Sequence, residues 1–209
     1  MTTTPSLGVV TIIDYDAGNI LNAVRAIKHI GYDTVLATKP SEVPVDTKVL
    51  VIPGVGAFGQ GMAGLREREF ERFLQAWVGQ NKPLMGICLG MQLLFQNSIE
   101  MGNHKGLGFI EGHMDKIPFQ NRDGKKLPVP HIGWCKIEES SQKMIGLCYF
   151  VHSYFATDVK PEHVLAWAQY GDIKIPAVVR KNNVIGFQFH PEKSSEFGLQ
   201  VLRKFMQAF

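Results

Sequence analysis

Two stretches of this sequence hold residue types that can do chemistry on one another: Gly86-Ile87-Cys88-Leu89-Gly90 and, far downstream, Phe189-His190-Pro191-Glu192. A cysteine with glycine two positions before and two after has the form of a nucleophile elbow, the sharp strand-to-helix turn that presents an attacking atom. The glycines let the chain turn tightly and let a substrate come close. The attacking species of a cysteine is its thiolate, which the start of a helix favours. His190 supplies a base and Glu192 a carboxylate to orient it. Pro191 pushes His190 into an extended conformation. Positions i and i+2 of an extended segment share a face, so the spacing predicts that Glu192 reaches the imidazole. Taken singly, Cys88 reads as a small buried hydrophobe and His190 as a satisfied strand-end histidine. Taken together, the two stretches point to nucleophilic acyl transfer.

These side chains need a scaffold, and the flanking segments describe one. Val9 to Ile13 and Lys48 to Ile52 are apolar runs, and Pro83 to Ile87 leads into Cys88. Such runs read as buried strands of a parallel sheet. Ile20 to Ile30 and Phe70 to Val78 carry helical spacing, and Thr34 to Ala37 is a short strand. Strand and helix alternate through this half, which predicts a largely parallel sheet covered on both faces. From Gly106 to Val151 the segments shorten and Gly and Pro punctuate them, as in antiparallel strands. Tyr149 to Phe155, Leu165 to Tyr170, Ala177 to Lys181 and Val184 to Phe189 read as further strands, and Ser195 to Phe209 as a closing helix. The predicted fold is a mixed, largely parallel α/β sheet flanked by helices, with additional antiparallel strands, in one domain over 1–209.

Pro53-Gly54-Val55-Gly56 follows a predicted strand, at the carboxyl edge where open α/β sheets bind ligands. Its glycines free backbone N–H groups to face a tetrahedral intermediate, with the N–H of Leu89 as a second donor. Gln92 lies one helical turn beyond Cys88 and shares its face. Spacing alone leaves open whether its amide meets a substrate or solvent.

Composition narrows the function classes. The 22 Lys+Arg stand against 19 Asp+Glu, a balance unlike that of a dedicated nucleic-acid binder. Cys88, Cys135 and Cys148 are widely spaced and odd in number, as expected of reduced thiols in the cytoplasm. Met1 to Gly8 does not read as a signal peptide, and no run is long enough to cross a membrane. The histidines do not pair at metal-ligand spacing, so no metal site is expected; His113, His131 and His152 read as structural or supporting residues.

In combination, the motifs at 53–56, 86–92 and 189–192 resemble those of the class I (triad) glutamine amidotransferases, with a flavodoxin-like fold. Within that family the closest likeness is to glutaminase subunits of imidazole glycerol phosphate synthase, through the segments 14–19, 91–95, 131–134 and 150–154 and Lys193-Ser194. The resemblance implies that Cys88 attacks the glutamine amide, that His190 protonates ammonia and then activates water, and that Glu192 holds His190. Backbone at Gly54, Val55 and Leu89 forms the oxyanion hole, and Gly56, Gln92, Ser153 and Tyr154 hold the substrate. Asn19, Asn22, Trp134 and Lys193 face a (β/α)8-barrel cyclase that takes the ammonia in a heterodimer. It implies no cofactor, no nucleic-acid partner and no membrane. Two features depart from that pattern near the expected partner face: Cys135 stands where asparagine is usual, and the segment from Lys136 to Cys148 is short. A sister amidotransferase feeding another synthase, such as a sugar amidase, is the alternative within the family. A cysteine peptidase of related fold and a non-catalytic binding subunit are the alternatives outside it.

Overall fold

The computed structural model describes residues 6–18, 20–139 and 145–209. Its first half runs β1 (Val9–Ile13), α1 (Ile20–His29), β2 (Asp33–Ala37), β3 (Thr47–Ile52), α2 (Phe58–Glu67), α3 (Phe70–Gly79), β4 (Leu84–Ile87) and α4 (Leu89–Leu93). Then follow β5 (Asn97–Ser98), β6 (His104–Lys105), β7 (His113–Lys116), β8 (His131–Glu139), β9 (Ile145–His152) and β10 (Tyr154–Thr157). The chain closes with β11 (Val164–Tyr170), β12 (Ile173–Lys181), β13 (Val184–Phe187) and α5 (Ser195–Met206).

The larger sheet has the order β2-β1-β3-β4-β13-β12-β11-β8-β9. From β2 to β13 its strands are parallel. From β13 to β9 they are antiparallel. A smaller sheet has the order β10-β7-β5-β6. The central strands are mostly apolar because helices cover both faces, and the buried Thr11 of β1 is satisfied by Thr47 of β3 at 2.7 Å. Ile27 of α1 and Val201, Leu202 and Phe205 of α5 pack into the core on one side. Phe58, Met62, Leu65, Phe70 and Leu74 of α2 and α3 pack on the other. The predicted mixed, largely parallel sheet is therefore the observed one. Among the described residues, no helix is long and apolar enough to cross a membrane.

Three segments differ from expectation. The run 149–155 is not one strand: residues up to His152 pair with β8, while Tyr154 onward pairs with β7 in the smaller sheet. The chain bends between them at Ser153. The strand expected to reach Phe189 ends at Phe187. Helix α2 was not anticipated: Phe58, Met62 and Leu65 have helical spacing and are buried, but Gly59, Gly61 and Gly64 between them mask it. What matters for function is that β3, β4 and β13 are adjacent and parallel. Their carboxyl ends deliver the 53–56 turn, Cys88 and the segment leading to His190 to one edge of the sheet.

Candidate active site

Cys88 sits between β4 and α4 with φ 52 and ψ −108, a region that side-chain-bearing residues rarely occupy. Its N–H donates to the Phe187 carbonyl at 2.7 Å, which fixes the turn against the neighbouring strand. The flanking glycines are required by close approach. A Cβ on Gly90 would strike the Ile52 carbonyl, and one on Gly86 the Gly90 carbonyl. The elbow thus exists because α4 begins directly on top of β3 and β4. This helix is only five residues long. A charged side chain from beyond the far end of β13 stands next to Cys88.

That neighbour is His190. Pro191–Lys193 forms a 3-10 turn, not the straight segment expected, and the turn brings Glu192 back onto the imidazole. Nδ1 of His190 donates to Glu192 Oε1 at 2.7 Å, and both side chains are almost wholly buried. Burial disfavours the imidazolium, but Cys88 and Glu192 outweigh it and hold the pKa up at about 10. His190 therefore keeps its proton at neutral pH. Its Nε2 is buried without a hydrogen-bond partner, and Cys88 Sγ faces the Val151 carbonyl at 3.9 Å.

The backbone of His190 is tied to β9 by a closed set of three hydrogen bonds. Its N–H donates to the Tyr149 carbonyl at 3.0 Å. The Tyr149 N–H donates to Ser194 Oγ at 2.9 Å, and that hydroxyl donates to the His190 carbonyl at 2.6 Å. Ser194 as an anchor was not foreseen: a serine just before an apolar helical run signals a helix cap, but its hydroxyl makes no capping bond here and turns to β9 and His190 instead.

Cys88 opens into a cavity of about 270 Å³ lined by Val55, Gly56, Leu89, Gln92, Glu100, Val151, His152, Ser153 and Tyr154 among others. That volume is at the small end for ligand sites and suits a single amino acid. The structure therefore brings together the nucleophile, Gly56, Gln92, Ser153 and Tyr154. Gln92 is buried, which excludes the solvated alternative. Its Nε2 donates to the Tyr154 carbonyl at 3.2 Å and to Gln188 Oε1 at 3.3 Å. Both amide protons being committed inward, its Oε1 is left for a ligand. Glu100 was missed by sequence reading. It follows a two-residue strand, where no periodicity marks it, and its Oε2 accepts from the Phe58 N–H at 2.6 Å.

The 53–56 turn rests in a closed arrangement. The Gly54 carbonyl accepts from the Leu89 N–H at 3.3 Å, and the Val55 N–H donates to the Ala17 carbonyl at 2.9 Å. The two N–H groups expected to form an oxyanion hole do not converge here: one is occupied and the other points away.

Of the residues expected at a partner face, Asn19 lies outside the described residues. Asn22 and Lys193 are half-buried, and Trp134 is exposed. Helix α1, which carries Asn22, packs against the 191–193 turn, and so does β9. Cys135 is turned to the inner face of β8, where its Sγ donates to the Gln169 carbonyl at 3.3 Å. It is half-buried and lines one surface groove together with Trp134, Trp167 and Gln169. Much of the short segment beyond it, 140–144, is outside the described residues. Also among the described residues, no three His, Cys, Asp or Glu side chains gather in a metal-binding group.

Comparison with known proteins agrees with this geometry. Residues 11–208 match the family described as Glutamine amidotransferase class-I. A Streptococcus gordonii protein named imidazole glycerol phosphate synthase subunit HisH is 44% identical over 202 residues, 94% of each chain. The protein of the same name from Bacillus velezensis is 38% identical over 203 residues, 94% of this chain and 95% of the other. A crystal structure of a glutamine amidotransferase superposes with a TM-score of 0.76 at 20% identity, covering 97% of this chain and 100% of that one, a likeness of fold. With its family match running nearly from end to end, the chain belongs to the class-I glutamine amidotransferases.

Proposed function

We propose that this chain is the glutamine-hydrolysing subunit of an imidazole glycerol phosphate synthase, a single domain that makes ammonia for a cyclase subunit in histidine biosynthesis. The observation that carries the chemistry is one cavity and what stands behind it. A strained cysteine, backed by a protonated, carboxylate-held histidine, opens into a cavity where Gln92 and Glu100 offer acceptor oxygens. Two acceptors, one of them a carboxylate, suit the α-ammonium of a free amino acid. A substrate held there extends its side-chain amide toward Cys88. The Ser153-Tyr154 bend and Gly56 hold the remaining backbone end of the amino acid.

The reaction then follows from the groups present. Cys88 Sγ attacks the amide carbon, and the carbonyl oxygen takes up negative charge. His190 donates its proton to the departing nitrogen, which leaves as ammonia, and a thioester remains. Now neutral, His190 takes a proton from water, and the resulting hydroxide attacks the thioester. Glutamate and free Cys88 are the products. Glu192 keeps the imidazole oriented throughout.

The closed 53–56 turn fits this reading as a resting state. Flipping the Gly54–Val55 peptide removes the carbonyl from the Leu89 N–H and swings the Val55 N–H into the site. Both donors then face the developing oxyanion. Partner binding supplies the bias for the flip, so hydrolysis is coupled to the cyclase. The partner is a (β/α)8 barrel that docks over Asn19, Asn22, Trp134 and Lys193. The heterodimer works in the cytoplasm without cofactor, nucleic acid or membrane.

The test is glutamate release from glutamine by this chain alone, then with a cyclase subunit from the same genome and its nucleotide substrate. Slow release alone and strong stimulation by the pair are expected. Release that ignores the cyclase would assign the ammonia to a different synthase.

A further inference from the structure

From the wall of the cavity, where His152 stands, a polar chain that the reaction as derived does not use runs into the core. His152, at the end of β9, has Nδ1 2.8 Å from the Tyr154 carbonyl and Nε2 3.1 Å from Nδ1 of His131. Both histidines are nearly inaccessible to solvent. His131 is stacked on the Tyr170 ring at 4.0 Å and on the Phe150 ring at 5.1 Å. Burial pushes His131 down to about 4 and His152 to about 3, so both are neutral near pH 7.

Neutrality and one carbonyl fix every proton in this chain. The Tyr154 carbonyl only accepts, so Nδ1 of His152 carries its hydrogen. Nε2 of His152 is then a bare lone pair, and Nδ1 of His131 must donate to it. The same carbonyl accepts from Gln92 Nε2. It therefore dictates which end of the Gln92 amide faces inward and which is left for the ligand.

We propose that His152, backed by His131, is a positioning residue for recognition of the amino-acid end of the substrate. Its N–H anchors the Tyr154 carbonyl where the chain leaves β9 for the smaller sheet. That carbonyl holds the Gln92 amide with its oxygen toward the α-ammonium. The chain of donors runs from a stacked histidine in the core to one of the two acceptors, with Gln188 Oε1, that set the orientation of the Gln92 amide. This inference rests on the glutaminase reading above.

The test uses the assembled synthase with its cyclase, glutamine, and the desamino analogue 4-carbamoylbutanoate, which lacks the ammonium. His152→Leu should raise KM for glutamine about tenfold, the scale of one lost buried hydrogen bond, with kcat changed less than threefold. The preference for glutamine over the desamino analogue should fall by a similar factor. His152→Asn places an N–H near the position of Nδ1 and should restore most of the preference; His131→Leu should give an intermediate loss. Synthesis from added ammonium, which bypasses the glutamine pocket, reports folding and assembly in each variant. An unchanged preference in His152→Leu, or equal damage to both substrates, overturns the proposal, because a merely structural role lowers both alike. If His152→Leu fails to assemble, His152→Asn and His131→Leu decide: a preference unchanged in His131→Leu overturns it. Absence of glutamine hydrolysis in the unmodified complex would instead refute the glutaminase reading itself.

Discussion

His190 is held protonated by Cys88 and Glu192 against the pull of its own burial, and that balance can be read in solution. Removing the Glu192 charge removes one of the two influences that raise it. In Glu192→Gln the imidazolium should therefore lose its proton at lower pH, and the alkaline limb of the glutaminase pH profile should move to the acid side. Turnover should fall by roughly 10²–10⁴-fold, the range for losing the residue that orients a catalytic imidazole. A limb that stays in place would show that Glu192 does not set the proton affinity of His190. The same raised pKa has a sign for stability. A group that binds its proton more tightly when folded stabilises the fold fully below its ordinary pKa of 6.5 and loses that contribution as pH rises through about 10. Melting temperature measured across that window should fall more steeply for the unmodified chain than for Glu192→Gln. Replacing the nucleophile separates chemistry from assembly. Cys88→Ala should abolish glutamate release yet leave ammonium-driven synthesis by the complex intact, and residual glutamate would mean that another group attacks.

The elbow and the 53–56 turn, which we propose supplies the oxyanion donors once flipped, are the elements on which these residues depend, and both are constrained by close contact. A Cβ at Gly54 would meet the Tyr15 hydroxyl, which donates to the Pro53 carbonyl at 2.5 Å and pins the base of the turn. Gly54→Ala should destabilise the fold by about 1–3 kcal/mol, the range for overpacking, and should slow hydrolysis even when the partner is saturating. Thermal unfolding and partner-saturated turnover check the two parts, and a variant as stable and active as the parent would remove the turn from the mechanism. The same elements show what a sequence can disclose. The elbow, the contact of His190 with Glu192 and the parallel strands were legible because each rests on local rules: glycine spacing at a tight turn, two residues close in sequence, and apolar runs where helices cover both faces. The bend at Ser153 was not legible, because Tyr149 to Phe155 is uniformly strand-forming and only pairing with two different sheets breaks it. Glu100 and the His131–His152 pair were obscure for a related reason. Their partners are long-range, and neither periodicity nor spacing marks a residue whose role is fixed by a distant strand or a backbone carbonyl. The Pro191 turn was misjudged because proline constrains its own φ and its predecessor, but leaves Glu192 free to curl back.

At the scale of the whole molecule, β8 and β9 end the larger sheet with an exposed apolar face. Ile132 and Trp134 stand on β8, and Ile145 and Leu147 on β9, all well accessible to solvent. An edge strand with such a face is a liability unless something covers it. We propose that the cyclase subunit covers this one. Trp134 packs edge-on against Tyr149 with ring centroids 6.0 Å apart, and the Tyr149 peptide holds His190 from both sides through Ser194. A contact on Trp134 is thus two residues from the base by a route of packed rings and backbone hydrogen bonds. Trp134→Ala should shift the midpoint of a cyclase titration, followed by glutamate release, upward by about 10–100-fold, as for an aromatic anchor at an interface. The plateau of the same titration distinguishes anchoring from transmission. An unchanged plateau means that Trp134 only binds. A lowered plateau means that its contact with Tyr149 also helps to place His190, and Ser194→Ala should then lower the plateau without moving the midpoint. A titration that superposes on that of the unmodified chain would place the cyclase on another face and leave the β8–β9 edge for a different partner.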